Sequence, residues 1–485
     1  MRLKIILNTT GINLKYISFI FILPVIFAIF YKEFTAIPPF LTAGIITLGF
    51  GFLFCLNGID EKEMDSINRT EAFAAVLFSW SAFILSCTIP FLIFGLNPID
   101  SLFEAASGIS TTGASILSDY SIYPKTFFIY RSLMQWFGGM GIIVLFIAVL
   151  PKFAVAGRQM FFAENPNPTE EKITPRIRYT ASWLWLIYVL LTVIQIILLK
   201  LTGLCFYDSL CISLSTISAG GFLSSQTSLI GYSPTVIWIV GFFAFLAGVN
   251  FLLTYKVLIK GKVDELFKNE EFKTYFGIVL FITLSIALIL FFEENMPFNA
   301  ALRNAFYETA ATITSTGSLC ADYSLWPLRA QILLLCLMFI GGSAISASGG
   351  IKVARWVYLF KFIKSELNKI VHPNLISPVK MDNKTISPEI GHQIIIFVMF
   401  YIAIFAISTV IVGFIEQNTT VALTGSIATL SNTGPAFGAN IGPMGNYSNV
   451  HGLTKLIFIF NMFIGRLEII PFLALLNKDL WQIKR

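Results

Sequence analysis

Four short segments of this chain end alike: Ser110-Thr111-Thr112-Gly113, Ile217-Ser218-Ala219-Gly220, Thr314-Ser315-Thr316-Gly317 and Ser431-Asn432-Thr433-Gly434. Each closes a semi-polar stretch too short to cross a bilayer, and each stretch lies between two long apolar ones. The glycines are 107, 97 and 117 residues apart. Glycine lets the backbone turn its carbonyls toward an axis, and a ring of carbonyls can replace the water around a cation. One such tetrapeptide would read as an ordinary contact between small residues on packed helices. Four of them, in the same place between two crossings, read as a pore built four times within one chain.

Composition fits that reading. Charged residues make up 12% of the 485, about half the soluble norm, with 56% hydrophobic residues and a mean hydropathy of +0.78. Apolar runs of ~20 residues recur along the chain, so it is a polytopic membrane protein. The net charge of +6 reflects loop topology and not a nucleic-acid footprint. The run Tyr16 to Tyr31 behind Arg2 and Lys4 has the look of a signal peptide. However, no small-residue cleavage site precedes a soluble domain, and a second apolar run follows at once. Cys55, Cys87, Cys205, Cys211, Cys320 and Cys336 form no CxxC pair and read as packing residues; His372, His392 and His451 have no metal-ligand spacing. There is no HExxH and no nucleophile elbow, so the chain does not read as an enzyme.

Ten crossings are expected. Two come first, at 16–31 and 36–57. Four units of crossing, dip and crossing follow: 71–95, 98–115 and 127–150; 180–203, 205–222 and 234–257; 274–293, 298–319 and 327–360; 393–416, 419–437 and 450–475. The units divide the chain into 1–70, 71–179, 180–273, 274–392 and 393–485. With the N-terminus inside, 25 of the 33 Lys and Arg fall on the inner side, seven outside, and Arg466 within a crossing. The C-terminus is then also inside, and all four dips enter from the outer face. Each unit crosses twice, so all four share one orientation and are related by an axis along the membrane normal. The expected fold is an all-α integral membrane protein. Four pseudo-symmetric helix–pore-loop–helix repeats surround one central pore, with two extra N-terminal transmembrane helices.

Aligned without gaps on the four glycines, Glu104 and Glu308 share one position, nine residues before. Ser or Thr stands three before in three units, with Ile217 as the exception. The expected ion-binding residues are Thr111, Thr112, Gly113, Ser218, Ala219, Gly220, Ser315, Thr316, Gly317, Asn432, Thr433 and Gly434. Small hydroxyls there add oxygen ligands without blocking the axis. The shared place of Glu104 and Glu308 fits support of the filter and not catalysis.

The second crossing of unit three is interrupted by Gly341-Gly342-Ser343-Ala344-Ile345-Ser346-Ala347-Ser348-Gly349-Gly350. Four glycines and three serines in ten residues will not hold a helix, and irregular backbone at that depth must face protein or water. The expected gate therefore comprises Gly341, Gly342, Ser343, Ser346, Ser348, Gly349 and Gly350, an intramembrane loop obstructing the pore. The alternative is a packing break where helices cross. Arg466, a charge within a crossing, is expected to hydrogen-bond loop carbonyls and add an electrostatic barrier, or else to pair with Glu468. The long charged segments 152–179 and 352–392 suit a soluble partner, or simply determine topology. A channel-like conductor competes with an ion-coupled symporter of K⁺ or Na⁺ working by alternating access with H⁺ or Na⁺. The scarcity of acids within crossings favours the former.

The filter segments are joined by Gln135-Trp136-Phe137-Gly138-Gly139-Met140-Gly141-Ile142-Ile143-Val144-Leu145, Leu184-Trp185-Leu186-Ile187-Tyr188, Ile217-Ser218-Ala219-Gly220-Gly221-Phe222 and Gly465-Arg466-Leu467-Glu468. With them the chain resembles, over essentially its whole length, the TrkH branch of the TrkH/TrkG/KtrB/HKT superfamily of potassium uptake proteins. The resemblance implies K⁺ selectivity, the bacterial inner membrane and a homodimer with one pore per protomer. It also implies a cytosolic TrkA-type regulatory ring that binds NAD(H) and ATP or ADP. No cofactor is expected on this chain itself; K⁺ is its cargo. In plant-type relatives, serine at the first filter glycine goes with Na⁺ transport, and here that position is Gly113. The third filter departs from the pattern at Gly317-Ser318-Leu319, and the second carries Ala219. None matches the TVGYG strand of K⁺ channels, so weaker discrimination against Na⁺ and Rb⁺ is expected.

Overall fold

The computed structural model describes residues 2–56, 69–148, 173–374, 377–382 and 384–467. Among the described residues six helices are long and apolar enough to cross a membrane: Leu3–Phe30, Phe34–Phe54, Glu71–Ile93, Ser182–Leu201, Glu270–Glu293 and Pro388–Glu416. They correspond to the two N-terminal crossings and the first crossing of every unit. Their outer surfaces are apolar: Phe281, Phe292 and Phe414 are 68%, 72% and 81% exposed, as a hydrocarbon surround allows.

The second helix differs from unit to unit, and in unit two it departs from expectation. In unit one it runs unbroken as Lys125–Ala148. In unit two the expected crossing 234–257 is two helices, Pro234–Ala247 and Phe251–Leu258, bent by 109° at the break between them. The cause is local. Gly248 ends the first helix, and Asn250 begins the second by accepting the Leu252 N–H on Oδ1 at 2.9 Å. In unit three the helix Leu328–Leu337 stops three residues before Ile340, and helix resumes only at Val353, running on to Val371. In unit four Gly452–Leu467 is helical; the rest of that crossing, with Glu468, lies outside the described residues, as does 152–172 of the first long inner segment.

Between the crossings lie four short helices: Pro98–Ile109, Phe206–Ile217, Phe298–Ile313 and Thr419–Leu430. Each packs between the two long helices of its own unit. The first three also pack on the second helix of the preceding unit, the first of them on Gly452–Leu467 of unit four, so the chain closes on itself. Glycines permit this crowding. A Cβ on Gly138 would collide with the Ile109 carbonyl, and one on Gly139 would lie 2.9 Å from Ser218 Cβ. The second helix of unit one thus wedges between the ends of two dip helices. Buried tyrosines spend their hydroxyls on carbonyls of neighbouring helices: Tyr130 to Cys87, Tyr188 to Trp136 and Tyr275 to Phe245, each at 2.9 Å.

The N-terminal helices lean on unit one. Glu33, in the turn between them, accepts the backbone N–H groups of Lys125 and Thr126 at 2.9 Å each, capping the helix that begins there. At the other end Arg2 pairs with Glu71 at 2.8 Å. A two-stranded hairpin, Lys380–Met381 with Lys384–Thr385, joins units three and four; nothing in the sequence reading anticipated it.

Candidate functional site

All four dip helices end in the same way. The N–H groups of Thr112, Gly220, Thr316 and Thr433 donate to the carbonyls five residues earlier, those of Ser107, Ser215, Ala311 and Ala428, at 2.8–2.9 Å. The residue just before each of these N–H donors is left-handed: Thr111, Ala219 and Ser315 at φ 56°, and Asn432 at 58°. This is the two-bond helix stop that glycine normally supplies. Here four side-chain-bearing residues adopt it, at a cost of about 1–2 kcal/mol each. Strain of that kind persists where the surroundings impose it, and it clusters at ligand sites.

Two residues further on, Gly113, Gly221, Gly317 and Gly434 have φ of 83°, 80°, 68° and 89°. The second unit is therefore in step through Gly221 and not Gly220. The gapless alignment on Gly220 is off by one, and the corrected spacings are 108, 96 and 117 residues. In the corrected register the exception at Ile217 disappears. Ser110, Ser218, Thr314 and Ser431 share a position, and Gly220 falls where the others have Thr112, Thr316 and Thr433.

The four turns meet. A Cβ on Gly113 would collide with the Gly220 carbonyl oxygen, one on Gly221 with that of Thr316, one on Gly317 with that of Thr433, and one on Gly434 with that of Thr112. Each turn rests on the next, and the fourth rests on the first. Asn432 spans the closing joint, donating from Nδ2 to Thr112 Oγ1 at 2.9 Å. No side chain larger than hydrogen fits at the four glycines, and their φ values independently call for glycine.

Behind the ring, each unit ties its outgoing strand to its own dip helix. Glu104 accepts the Ile116 N–H at 3.1 Å and Glu308 that of Cys320 at 2.8 Å. Thr424 Oγ1 accepts that of Phe437 at 3.2 Å, and Asp208 accepts the Ser224 hydroxyl at 2.9 Å. Glu104 also pairs with Arg131 at 2.6 Å, both side chains fully buried, and the Arg131 guanidinium lies 3.9 Å from the Phe222 ring centre.

The loop 341–350 lies against this ring. The Gly349 N–H donates to Ser315 Oγ at 2.6 Å, and a Cβ on Gly349 would collide with the Ser431 carbonyl. The loop hangs on the break in unit two. Ser343 N–H donates to the Gly248 carbonyl at 2.8 Å, Ala347 N–H to that of Ala247 at 3.3 Å, and Phe251 N–H to that of Ile345 at 3.2 Å. Within it the Gly342 N–H donates to Ser348 Oγ at 3.0 Å, and the Ser346 and Ser348 hydroxyls are 2.7 Å apart. Gly341 and Gly350 sit at its mouth, where the Gly341 N–H donates to the Ile351 carbonyl at 2.9 Å. The Lys352 ammonium donates to the Ser348 carbonyl and hydroxyl. Arg466, 3% exposed, donates from Nη1 to the Ala347 carbonyl at 2.8 Å; its Nε and Nη2 have no hydrogen-bond partner among the described residues.

Sequence reasoning missed Glu271. It reads as a first-turn acid at a solvated helix start, yet it is fully buried, and its carboxylate accepts the Ala344 N–H of the loop at 2.5 Å. Gly248 and Asn250, which receive the loop, were also missed; their signal was a glycine two residues before an Asn cap.

The relatives of this helical multi-pass membrane protein are transporters and not enzymes. The family model for TrkH, described as a cation transport protein, matches residues 40–296 and 293–483. The chain belongs to the TrkH family. It is 34% identical to the Trk system potassium uptake protein TrkH of Salmonella typhimurium, over 99% of this chain and 100% of that one. It is 29% identical to the Trk system potassium uptake protein TrkG of Escherichia coli, over 99% of both. The crystal structure of the potassium transporter TrkH from Vibrio parahaemolyticus superimposes with a TM-score of 0.90 at 29% identity, covering 99% of this chain and 100% of that one.

Proposed function

We propose that the chain takes up K⁺ through a channel-like pore whose filter is the ring of turns at 111–113, 219–221, 315–317 and 432–434. The closed ring, each turn resting on the next, is the observation that carries this reading. It gathers four turns of three residues each, with their backbone carbonyls and the hydroxyls of Thr111, Thr112, Ser315, Thr316 and Thr433, into one closed ring, a donor set that suits a dehydrated monovalent cation. The loop 341–350 with Arg466 is the obstruction. The loop lies against the ring, and a guanidinium held at its Ala347 carbonyl repels a cation. The four units are the functional division of the chain, at 71–179, 180–273, 274–392 and 393–485. The basic-residue asymmetry supports dips opening outward and both termini in the cytoplasm, in a bacterial inner membrane. A homodimer and a nucleotide-binding TrkA-type ring on the inner face rest on family membership.

Growth of a K⁺-uptake-deficient bacterial strain on low K⁺ tests the reading. The unsubstituted chain is expected to rescue growth, Gly113→Ser to weaken rescue, and co-expression of a TrkA-type partner to strengthen it. No rescue under any condition, with the protein present in the membrane, would overturn K⁺ uptake.

A further inference from the structure

In three turns of the ring the residue before the glycine is threonine, and its hydroxyl meets the hydroxyl two residues earlier. Ser110 and Thr112 are 2.7 Å apart, Thr314 and Thr316 2.8 Å, Ser431 and Thr433 2.7 Å. The second turn has Gly220 at this place, so no such pair can form; the Ser218 hydroxyl, like those of Ser110, Thr314 and Ser431, donates to a carbonyl of its own dip helix, that of Ser215 at 2.9 Å. The space is not empty. A Cβ on Gly220 would collide with Cδ of Gln135 and lie 2.6 Å from its Oε1. Gln135 comes from the second helix of unit one and is fully buried.

The Gln135 amide makes three contacts with this one turn. Nε2 donates to the Gly220 carbonyl at 2.5 Å. Oε1 accepts the Phe222 N–H at 2.9 Å and the Ser215 hydroxyl at 3.0 Å. A primary amide supplies a donor and a doubly accepting oxygen on one planar group at any pH. A carboxylate of the same shape would have nothing to donate and would face a carbonyl oxygen. The Gly220 carbonyl is the one on which the Gly113 turn rests, so whatever fixes Gly220 also fixes the joint between the first two turns.

We infer that Gln135 is the selectivity-positioning residue of the second filter turn, a side chain lent by unit one that stands in for the threonine the second unit lacks. The inference rests on the proposed K⁺ filter. It explains why glycine stands at 220: a side chain and Gln135 cannot both fit. It also identifies where the ring departs from fourfold symmetry. A positioning role differs from a packing role in what it controls. Packing alone would set how much protein reaches the membrane. Positioning sets how well the ring rejects Na⁺, because carbonyl spacing and field decide that.

The test uses the full-length chain in a K⁺-uptake-deficient strain, reading K⁺ uptake and its inhibition by Na⁺, each normalised to the protein in the membrane. Gln135→Met keeps volume and loses the amide; Gln135→Glu keeps shape and loses the donor. Both are expected to lower the preference for K⁺ over Na⁺ by about tenfold or more, the loss equivalent to one or two buried hydrogen bonds, with Glu at least as damaging as Met. Unchanged preference in both would overturn the assignment. Gly220→Ala reads the same contact from the other side: the new Cβ displaces the Gln135 amide, and selectivity is expected to fall. Unchanged selectivity in Gly220→Ala at equal membrane abundance also counts against it. If the unsubstituted chain takes up no K⁺, the filter itself is refuted; if it discriminates and the Gln135 variants discriminate equally, only this assignment fails.

Discussion

In the ring, four turns far apart in the chain reproduce one left-handed φ to within 2°, from 56° to 58°. In the adjoining layer the same four units diverge. The second helix of unit one is continuous, that of unit two bends by 109°, and that of unit three opens into a loop of fifteen residues between Leu337 and Val353. Under the proposed function the two layers answer different demands. A dehydrated cation needs oxygen on every side, so all four units must supply the same geometry, even at the strain of four non-glycine left-handed residues. An obstruction needs only one segment, provided its neighbours hold it. Unit two leaves Ala247, Gly248 and Phe251 free to receive it, and unit four sends Arg466. The ring's symmetry and the loop's asymmetry are compatible because they meet at few points, chiefly Ser315 Oγ and the Ser431 carbonyl.

Breaking the symmetric layer should have the largest effect. Alanine at Gly113, Gly221, Gly317 or Gly434 puts a Cβ onto the next turn's carbonyl and forces a left-handed alanine. Overpacking of about 1–3 kcal/mol and a backbone cost of about 1–2 kcal/mol correspond to roughly a hundredfold loss of K⁺ uptake. Gly277→Ala, where no atom lies within 4 Å of the new Cβ, should leave uptake unchanged. Equal loss at all five positions would mean the ring is not special.

The struts behind the ring come next, and they should not be equivalent. Glu104→Gln strands Arg131, fully buried, and should lower stability by about 3–5 kcal/mol. Glu308→Gln weakens hydrogen bonds to two backbone N–H groups and should cost about 1–3 kcal/mol. Thermal unfolding in detergent, read with each variant's uptake, orders them; the reverse order would show that the ion pair is not the stronger strut.

Breaking the asymmetric layer should change the sign. Arg466→Ala removes one charged hydrogen bond to the loop, and flux should rise by up to about tenfold; Glu271→Gln, which leaves an acceptor for the Ala344 N–H, should raise it less. Flux unchanged or lowered in Arg466→Ala would remove the loop from the gate. At the small end, Arg329→Ala breaks an exposed pair with Glu293 and should shift stability by less than about 1 kcal/mol.

Much of the symmetric layer was legible in the sequence because its constraint is local: a helix stop, a hydroxyl and a glycine recur at fixed spacing. Even so, the Gly220-Gly221 pair offered two alignments, and only the backbone angles and the collision pattern choose Gly221. The loop 341–350 was legible from its glycine and serine density. What holds it was not. The break at 248–250 carries one glycine and one asparagine within an otherwise apolar run, too little to interrupt a hydropathy reading. Glu271 was passed over because helix starts commonly carry acids, and its burial follows from a loop 73 residues away. Gln135 was quoted as part of a motif, but its role depends on a turn 85 residues away. Contacts of that range leave no periodicity to read.

The most direct test is a structure determined with Rb⁺ in place of K⁺, using the anomalous signal of the ion. A single strong site enclosed by the turns 111–113, 219–221, 315–317 and 432–434 is expected. Rb⁺ bound elsewhere with this ring empty would contradict the four-part filter.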